Sequence, residues 1–392
     1  MTRRAAPTLD VDALIGDPGT RIVVCCGSGG VGKTTTSAAL ALRAAEQGRR
    51  VVVLTIDPAR RLAQSMGVGE LDNTPRRVVG VDPAAGGRLD AMMLDMKRTF
   101  DEVVESQASP EKAQQILANP FYVALSSSFA GTQEYMAMEK LGQVHRAAEA
   151  DGTYDLIVVD TPPSRSALDF LDAPERLSSF LDGRFIRLLL APARGPARFM
   201  TAGVGLVTNA LTKVIGAQVL RDMSTFVAAF DTLFGGFRAR AERTFALLQA
   251  DGTAFLVVAA PEPDALREAA YFTERLAEDA MPLAGLVVNR SSSAESPGSP
   301  AGPAGGDAAP ALGADEAVAA AARVAKRDPR SVTGGLLRLH ADRLRSVERE
   351  SRLRAGFAAA HPDVATVVVP ALSTDVHDLD GLRAVGRLLA GG

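Results

Sequence analysis

A glycine-rich segment near the start of the sequence has the residue types and spacing of a phosphate-binding loop. It runs from Gly27 to Thr34 and fits the pattern G-x-x-x-x-G-K-[ST]. Glycines let such a loop curl until successive backbone N–H groups point at phosphate oxygens, and the helix that follows adds the positive end of its dipole. The predicted nucleotide-binding residues of this loop are Gly27, Gly29, Gly30, Val31, Gly32, Lys33, Thr34 and Thr35.

Four side chains could supply the chemistry that hydrolysis of a nucleoside triphosphate requires. Lys33 is predicted to act in catalysis by neutralising the β- and γ-phosphates, and the Thr34 hydroxyl is predicted to bind Mg²⁺. Asp160 ends an apolar run and is predicted to be the second protein group on the metal. Asp57 ends another apolar run and is predicted to position the attacking water. An aspartate at a strand end can instead cap a helix or stabilise a turn, and that alternative stays open for both carboxylates.

Short runs rich in Val and Ile alternate with helical stretches, which is typical of parallel strands buried on both faces of a sheet. A helix predicted after the loop, from about residue 34 to 47, ends at Gly48 as a C-terminal cap. The predicted fold class is α/β, with a mainly parallel sheet flanked by helices. Predicted strands cover residues 21–26, 50–56, 90–94, 154–160, 254–260, 284–289 and 365–370.

Breaks in this alternation define the predicted domain organisation. Residues 1–20 are largely polar and are predicted to form an N-terminal tail, followed by one domain over 21–392. Helical periodicity without strands continues over about 97–150 and 175–250, which predicts one inserted helical subdomain. Residues 291–315 consist almost entirely of Ser, Pro, Gly and Ala and are predicted to be a disordered loop, followed by a charged helix over about 328–359.

Composition and charge exclude several classes of protein. The chain has 392 residues, of which 47% are hydrophobic and 23% charged, and this suits a globular protein with a large core. Its net charge of −3 gives no basis for bulk nucleic-acid binding. Cys25 and Cys26 are adjacent and offer neither a disulfide framework nor a CxxC metal site, which favours a cytoplasmic location. Residues 199–212 are uncharged but fall short of the roughly 20 residues that a membrane-spanning helix needs.

Three further segments resemble those of a known family. Residues 55–59 read Thr-Ile-Asp-Pro-Ala, residues 160–164 read Asp-Thr-Pro-Pro-Ser, and residues 94–97 read Leu-Asp-Met-Lys. They are similar to switch I, switch II and the segment before the helical insert in the ArsA family of deviant-Walker ATPases. That family includes arsenite-pump ATPases and ATPases that deliver tail-anchored membrane proteins. The resemblance covers nearly the whole chain in one ATPase copy and implies a single-copy bacterial member with a P-loop NTPase fold.

The resemblance also implies the ligands and a site for the base. It implies ATP and Mg²⁺ as cofactors and a cytoplasmic, dimeric protein that hydrolyses ATP as a switch. Asn289 matches the residue that reads adenine in the family. The family's loop over the base corresponds to Pro370, Ala371 and Leu372.

Two departures from the family pattern concern catalysis and its coupling to the insert. Ser28 stands where the family has a lysine that reaches the partner's nucleotide across a dimer, and a hydroxyl cannot supply that positive charge. We therefore expect slow hydrolysis by a homodimer, or a heterodimer with a paralogous ATPase subunit that carries the missing loop lysine. Arg165 and Ser166 replace the usual Gly-His of switch II, so the coupling of hydrolysis to the insert is expected to differ.

The predicted insert bears on what the protein acts on. It contains no cysteine, and because As(III) requires thiolate ligands we expect no arsenite sensing. Residues 185–220 combine apolar side chains with arginine flanks and could bind a hydrophobic client or membrane protein, which would place the protein peripheral to a membrane. The other interpretation of this stretch is an ordinary buried helix bundle.

Two other functional classes share the phosphate loop. A ParA/MinD-like positioning ATPase would bind DNA or membrane directly, but it would not need the long helical insert. A weakly catalytic ATP-binding subunit of a paralogous heterodimer would use nucleotide only to set assembly, and Ser28 is compatible with that role. Lys33, Thr34, Asp57 and Asp160 favour retained hydrolysis.

Overall fold

A computed structural model of the chain describes residues 7–57, 61–120, 122–123, 126, 132–162, 236, 239–292, 312–328 and 330–391. Several predicted features lie outside these residues. They are the Pro-Ala of switch I, the end of switch II with Arg165 and Ser166, the apolar stretches 185–220 and 199–212, and most of the predicted disordered loop.

The described residues form an eight-stranded sheet whose order is β3-β4-β2-β5-β1-β6-β7-β8. All neighbouring strands are parallel except the short β3, which pairs antiparallel with β4. The central strands are buried along their whole length, which explains their nearly continuous Val, Ile and Leu runs. The strands are β1 Ile22–Cys26, β2 Arg50–Thr55, β3 Arg76–Arg77, β4 Arg88–Met93, β5 Leu156–Asp160, β6 Thr253–Ala259, β7 Leu283–Ser291 and β8 Thr366–Pro370.

The α/β fold class and all seven predicted strands are confirmed, with strand ends shifted by at most two residues. Only β3 was not predicted, because its two exposed arginines carry no strand pattern. The described helices are α1 Val11–Gly16, α2 Lys33–Glu46, α3 Arg61–Ser65, α4 Met96–Gln107, α5 Pro110–Leu117, α6 Thr132–Asp151, α7 Pro263–Glu278, α8 Ala314–Arg327, α9 Val332–Ala360 and α10 Leu379–Leu389. Residues 239–249 are also helical. Within these described elements, no helix is both long and apolar enough to cross a bilayer.

The predicted N-terminal tail needs correction, because most of it is part of the folded domain. Val11 and Ile15 on α1 are buried in the core, and Thr8 makes a parallel bridge to Thr366 beside β8. The buried Arg49 guanidinium donates hydrogen bonds to the carbonyl oxygens of Ile15, Asp17, Thr20 and Asp155. This arginine supplies hydrogen-bond donors to the backbone carbonyl oxygens at the end of α1 and in the turn after it. The polar composition of the segment alone does not reveal these contacts.

The boundaries of the predicted disordered loop also need correction. Ser291 belongs to β7, and its hydroxyl is within hydrogen-bond distance of Glu350 on α9. At the other end Ala314 begins α8, which packs along α9. Ala314 was predicted to lie in the loop because the residues before it are of low complexity, although alanine is the strongest helix former. The charged helix predicted near 328–359 corresponds to α9.

The described parts of the two predicted insert regions are helical and contact each other. Between Met96 and Asp151 the described elements are α4, α5 and α6, with no strand among them. Arg240, in the helical residues 239–249, donates from Nε to Glu139 Oε2 on α6 at 2.8 Å, and both side chains are buried. A single inserted subdomain stays a prediction, since most of 175–250 lies outside the described residues.

Candidate nucleotide-binding site

The glycine-rich loop joins the buried strand β1 to helix α2, as its motif predicts. Gly27 has φ +145°, and a Cβ there would lie 2.1 Å from the Val258 carbonyl oxygen on β6. Gly32 has φ +94°, and a Cβ there would lie 2.2 Å from Asn289 Nδ2. Gly27 is therefore required for its backbone turn and its close approach to β6, and Gly32 for its left-handed φ beside the Asn289 side chain.

Lys33 places a buried positive charge at the N-terminus of α2. Its ammonium Nζ donates to the Ser28 carbonyl oxygen at 2.7 Å, so the side chain folds back over the loop. Burial lowers the pKa of the Lys33 ammonium, and the nearby Asp160 carboxylate opposes this shift. The helix dipole, the loop amides and this ammonium together favour an anion at the loop.

Asp160 lies at the carboxyl end of β5, in the centre of the sheet and behind the loop. Its Oδ2 accepts hydrogen bonds from Thr34 Oγ1 at 2.8 Å and from Thr55 Oγ1 at 2.9 Å. The residue is fully buried, and burial raises the pKa of the Asp160 carboxyl to about 6. Its Oδ1 is buried and accepts no hydrogen bond from the described residues.

An unpartnered buried carboxylate oxygen beside a threonine hydroxyl fits the requirements of Mg²⁺. This ion binds through oxygen atoms, usually with one or two protein groups while phosphates and waters complete the shell. Thr34 and Asp160 are such groups. Among the described residues there is no cluster of three or more His, Cys, Asp or Glu side chains that could hold a metal by itself, and a magnesium–phosphate site does not need one.

Asp57 lies at the same sheet edge as Asp160. In the ladder between β2 and β5 the residue opposite Asp160 is Thr55, two positions before Asp57. The Asp57 backbone N–H lies 3.2 Å from Thr55 Oγ1, the hydroxyl that also binds Asp160. Asp57 lines one cavity with Lys33 and Thr34. The structure thus brings both predicted carboxylates to the side of the loop where phosphates would lie.

A cavity of about 780 Å³ joins the loop to the predicted adenine-binding residues. Asn289 is buried, and its Nδ2 donates to the Val31 carbonyl oxygen of the loop at 2.9 Å. The Ala371 N–H donates to the Ser291 carbonyl oxygen at 2.9 Å, which holds the segment after β8 beside β7. The predicted site residues that line this cavity are Gly30, Gly32, Lys33, Thr34, Thr35, Asp57, Asn289, Pro370, Ala371 and Leu372.

Other predicted residues support the cavity without lining it. Asp160 is enclosed behind Thr34 and Thr55, and Gly27 packs against Val258. Gly29 and Val31 line a second cavity of about 400 Å³ on the other side of the loop, next to Ser28. The residues of the loop therefore line two cavities, one on each side of the loop.

Residues that were not predicted from the sequence also line the large cavity. These are Arg61, Gln64 and Ser65 on α3, Arg290 after Asn289, Thr374, Asp375, Val376 and His377 after β8, and Val369 and Val385. The α3 residues follow Asp57 closely in the sequence, and that proximity could have predicted that they lie near the site. No pattern in the sequence marks Arg290.

The fold and this loop define the chain as a P-loop NTPase. The family model for the anion-transporting ATPases, ArsA_ATPase, matches residues 20–299, and the chain belongs to this family. The predicted family and the predicted ATPase class are thereby confirmed.

Several curated relatives carry ATPase names. The chain is 27% identical to the ATPase ASNA1 homolog of Cryptosporidium parvum over 264 residues, which cover 67% of this chain and 63% of that protein. It is 31% identical to ATPase GET3 of Malassezia globosa over 159 residues, covering 41% and 44% of the two chains. It is 27% identical over 190 residues to a protein of Aquifex aeolicus named as an arsenical pump-driving ATPase, covering 46% and 45%. The chain thus spans about half the length of the curated relatives it matches.

Proposed function

We propose that this chain binds Mg²⁺-ATP at the loop and hydrolyses it. The observation that carries the proposal is the hydrogen bond from Thr34 to the buried Asp160, beside the buried Lys33 at the start of α2. That arrangement supplies an ammonium for the phosphates and two oxygen groups for the metal. Family membership supports ATP as the nucleotide.

Each residue has a role that its position supports. The loop amides and Lys33 bind the β- and γ-phosphates and stabilise the charge that develops on them. Thr34 and Asp160 would hold Mg²⁺, which supplies further neutralisation of phosphate charge when bound. Asp57 orients the attacking water from the neighbouring strand end. Asn289 binds adenine, and Pro370, Ala371 and Leu372 cover it.

Dimerisation is the second part of the proposal. GET3 and ASNA1 homologues are among the relatives, and the family resemblance implies a dimer that brings a lysine to the partner's nucleotide. Ser28 lacks that charge. We propose slow turnover by the homodimer, or activity with a paralogous subunit that carries the lysine. In either case the ATP cycle would rearrange the helical insert and act on a hydrophobic client or membrane protein.

Restoring the lysine tests the role of Ser28. Ser28 lines the second cavity although its Oγ is buried, so circular dichroism should first show that the lysine variant folds. Ser28→Lys should raise the ATP hydrolysis rate of the purified chain, because cations of this kind change phosphoryl-transfer rates by about 1,000-fold or more in other systems. Ser28→Ala is the matched control and should leave the rate low.

Steady-state hydrolysis is measured for each variant alone and for the wild-type chain mixed with its genomic neighbour. Brisk hydrolysis by the wild-type homodimer would contradict both the slow homodimer and the need for a paralogous subunit. No hydrolysis under any of these conditions, with nucleotide binding intact, would favour a purely assembly-setting role.

A further inference from the structure

Arg290, at the end of β7, has an unusual backbone conformation for its residue type. Its φ is +58°, in the left-handed region that glycine and asparagine adopt more readily. The pairing of β7 with β8 changes register between Val288 and Ser291, so Arg290 lies in an irregular part of the ladder. Strained conformations of this kind cluster at binding sites, so the contacts of this side chain bear on its role.

The Arg290 side chain reaches the phosphate loop. Its Nη1 donates to the Gly30 carbonyl oxygen at 3.0 Å, and the preceding Asn289 donates to the Val31 carbonyl oxygen at 2.9 Å. Two consecutive residues of β7 therefore bind two consecutive carbonyls of the loop.

The direction of those carbonyls places Arg290 beside the phosphates rather than among them. In a loop whose N–H groups converge on an anion, the carbonyl oxygens point away from it. A side chain bound to the Gly30 carbonyl thus lies on the outer side of the loop. Asn289 lies on that side too. Arg290 borders both cavities, and across the larger one, which Asn289 also lines, is the segment of Pro370, Ala371 and Leu372.

Most N–H groups of the Arg290 guanidinium have no acceptor among the described residues. The guanidinium carries five N–H groups, and among the described residues only the Gly30 carbonyl accepts from it. No carboxylate of the described part of the chain pairs with it, and the side chain is exposed. A planar cation of this kind can stack on the face of a base while its edge donates hydrogen bonds.

We propose that Arg290 binds the nucleoside part of the nucleotide, with its guanidinium plane against the base and its free N–H groups toward the ribose. This inference rests on the proposed function. It adds a specificity residue that the loop motif does not contain. It also assigns a role to the strained backbone at Arg290, which is to orient this side chain toward the nucleoside. The hydrogen bond to Gly30 then links the nucleoside side of the cavity to the phosphate loop.

Two ligands distinguish nucleoside contacts from phosphate contacts. Isothermal titration of the full chain with Mg²⁺-ATP and with Mg²⁺-tripolyphosphate measures affinity with and without the nucleoside. Arg290→Asn should weaken Mg²⁺-ATP binding by about tenfold, since loss of a stacked cation and its hydrogen bonds is of that order. Affinity for Mg²⁺-tripolyphosphate should change much less, since only the hydrogen bond to the Gly30 carbonyl of the loop is lost. Arg290→Lys keeps the charge but loses the planar group, so it should recover only part of the loss.

The melting temperature without ligand separates binding from a structural role. Asparagine tolerates the left-handed backbone better than arginine, so Arg290→Asn should raise the melting temperature while it weakens nucleotide binding. Ala280, with φ +53°, provides the matched control, because Ala280→Asn should raise the melting temperature and leave both affinities unchanged.

Three results would overturn the assignment of Arg290. They are an equal loss of affinity for both ligands, which would make it a phosphate contact, an unchanged affinity for Mg²⁺-ATP, and a lowered melting temperature that accounts for the lost binding. If wild-type chain binds neither ligand, the proposed function itself fails. If it binds both and Arg290→Asn has no effect, only the inference about Arg290 fails.

Discussion

The large cavity has two walls that differ in burial and bonding. The phosphate wall is the loop with Lys33, Thr34 and Asp57, backed by Asp160, and the nucleoside wall is Asn289, Arg290 and residues 370–372. At the phosphate wall, Lys33 and Asp160 are buried and make hydrogen bonds to the loop, Thr34 and Thr55. At the nucleoside wall only Asn289 is buried and bonded to the loop, whereas Arg290 and Leu372 are exposed. The phosphate wall is preorganised for charge, whereas the nucleoside wall is expected to gain its contacts when a base binds.

The difference follows from the chemistry of the two parts of the ligand. Phosphates need fixed N–H groups and fixed charge, which a strand–loop–helix unit provides through its backbone. A base and ribose offer a flat apolar face and few polar atoms, which side chains from separate strands can cover. Disruption of the phosphate wall should therefore cost more than disruption of the nucleoside wall.

Lys33→Ala should have the largest effect on binding. It removes a charge-assisted contact to two phosphates from a buried site, and the expected loss of Mg²⁺-ATP affinity is about 100-fold or more. Isothermal titration measures this, and circular dichroism checks that the fold is intact. An unchanged affinity would contradict the assignment of the phosphate wall.

Asp57→Asn separates binding from chemistry at that wall. The amide keeps the size of the side chain but orients water poorly, so turnover should fall by about 100-fold. Affinity for Mg²⁺-ATP should stay within a small factor of the wild-type value. Single-turnover hydrolysis measures the first quantity and titration the second. Wild-type turnover in this variant would remove Asp57 from its proposed role.

Asn289→Ala tests the nucleoside wall. It removes the proposed adenine contact and leaves the Val31 carbonyl without its donor, so affinity for Mg²⁺-ATP should fall by about tenfold. Affinity for Mg²⁺-tripolyphosphate should change less, and titration with both ligands gives the comparison. A larger fall for tripolyphosphate than for ATP would mean that Asn289 acts mainly on the loop.

Leu372→Ala should have the smallest effect. Leu372 is 36% exposed, so it can bury only part of its surface against a base. The expected loss of Mg²⁺-ATP affinity is about twofold to threefold. A competition assay against a fluorescent nucleotide resolves a change of this size. A loss as large as that of Lys33→Ala would remove the contrast between the walls.

The sequence could predict the phosphate wall because its chemistry lies in one continuous segment and in two strand ends. Lys33, Thr34 and Asp160 meet in the structure as the motif and the parallel sheet require. Asn289 and the residues after Pro370 could be placed only through a family resemblance. Arg290 could not be predicted, because its role depends on a left-handed backbone and on a loop more than 250 positions away in the chain.

The fold shows the same division. Strands buried on both faces could be read from their apolar runs, whereas α1 could not, because its attachment depends on the distant Arg49. The beginning of α8 was missed because alanine is common both in helices and in low-complexity segments. Local composition thus predicted the strands, whose apolar runs are visible in the sequence. The attachment of α1 and the start of α8 could not be predicted in this way.

Isothermal titration of Mg²⁺-ATP into the full wild-type chain tests the central claim most directly. The proposed function predicts saturable heat with one nucleotide per chain, and loss of that heat in Lys33→Ala. Folded wild-type protein that gives no heat with Mg²⁺-ATP, in a buffer where a reference ATPase binds normally, would contradict it.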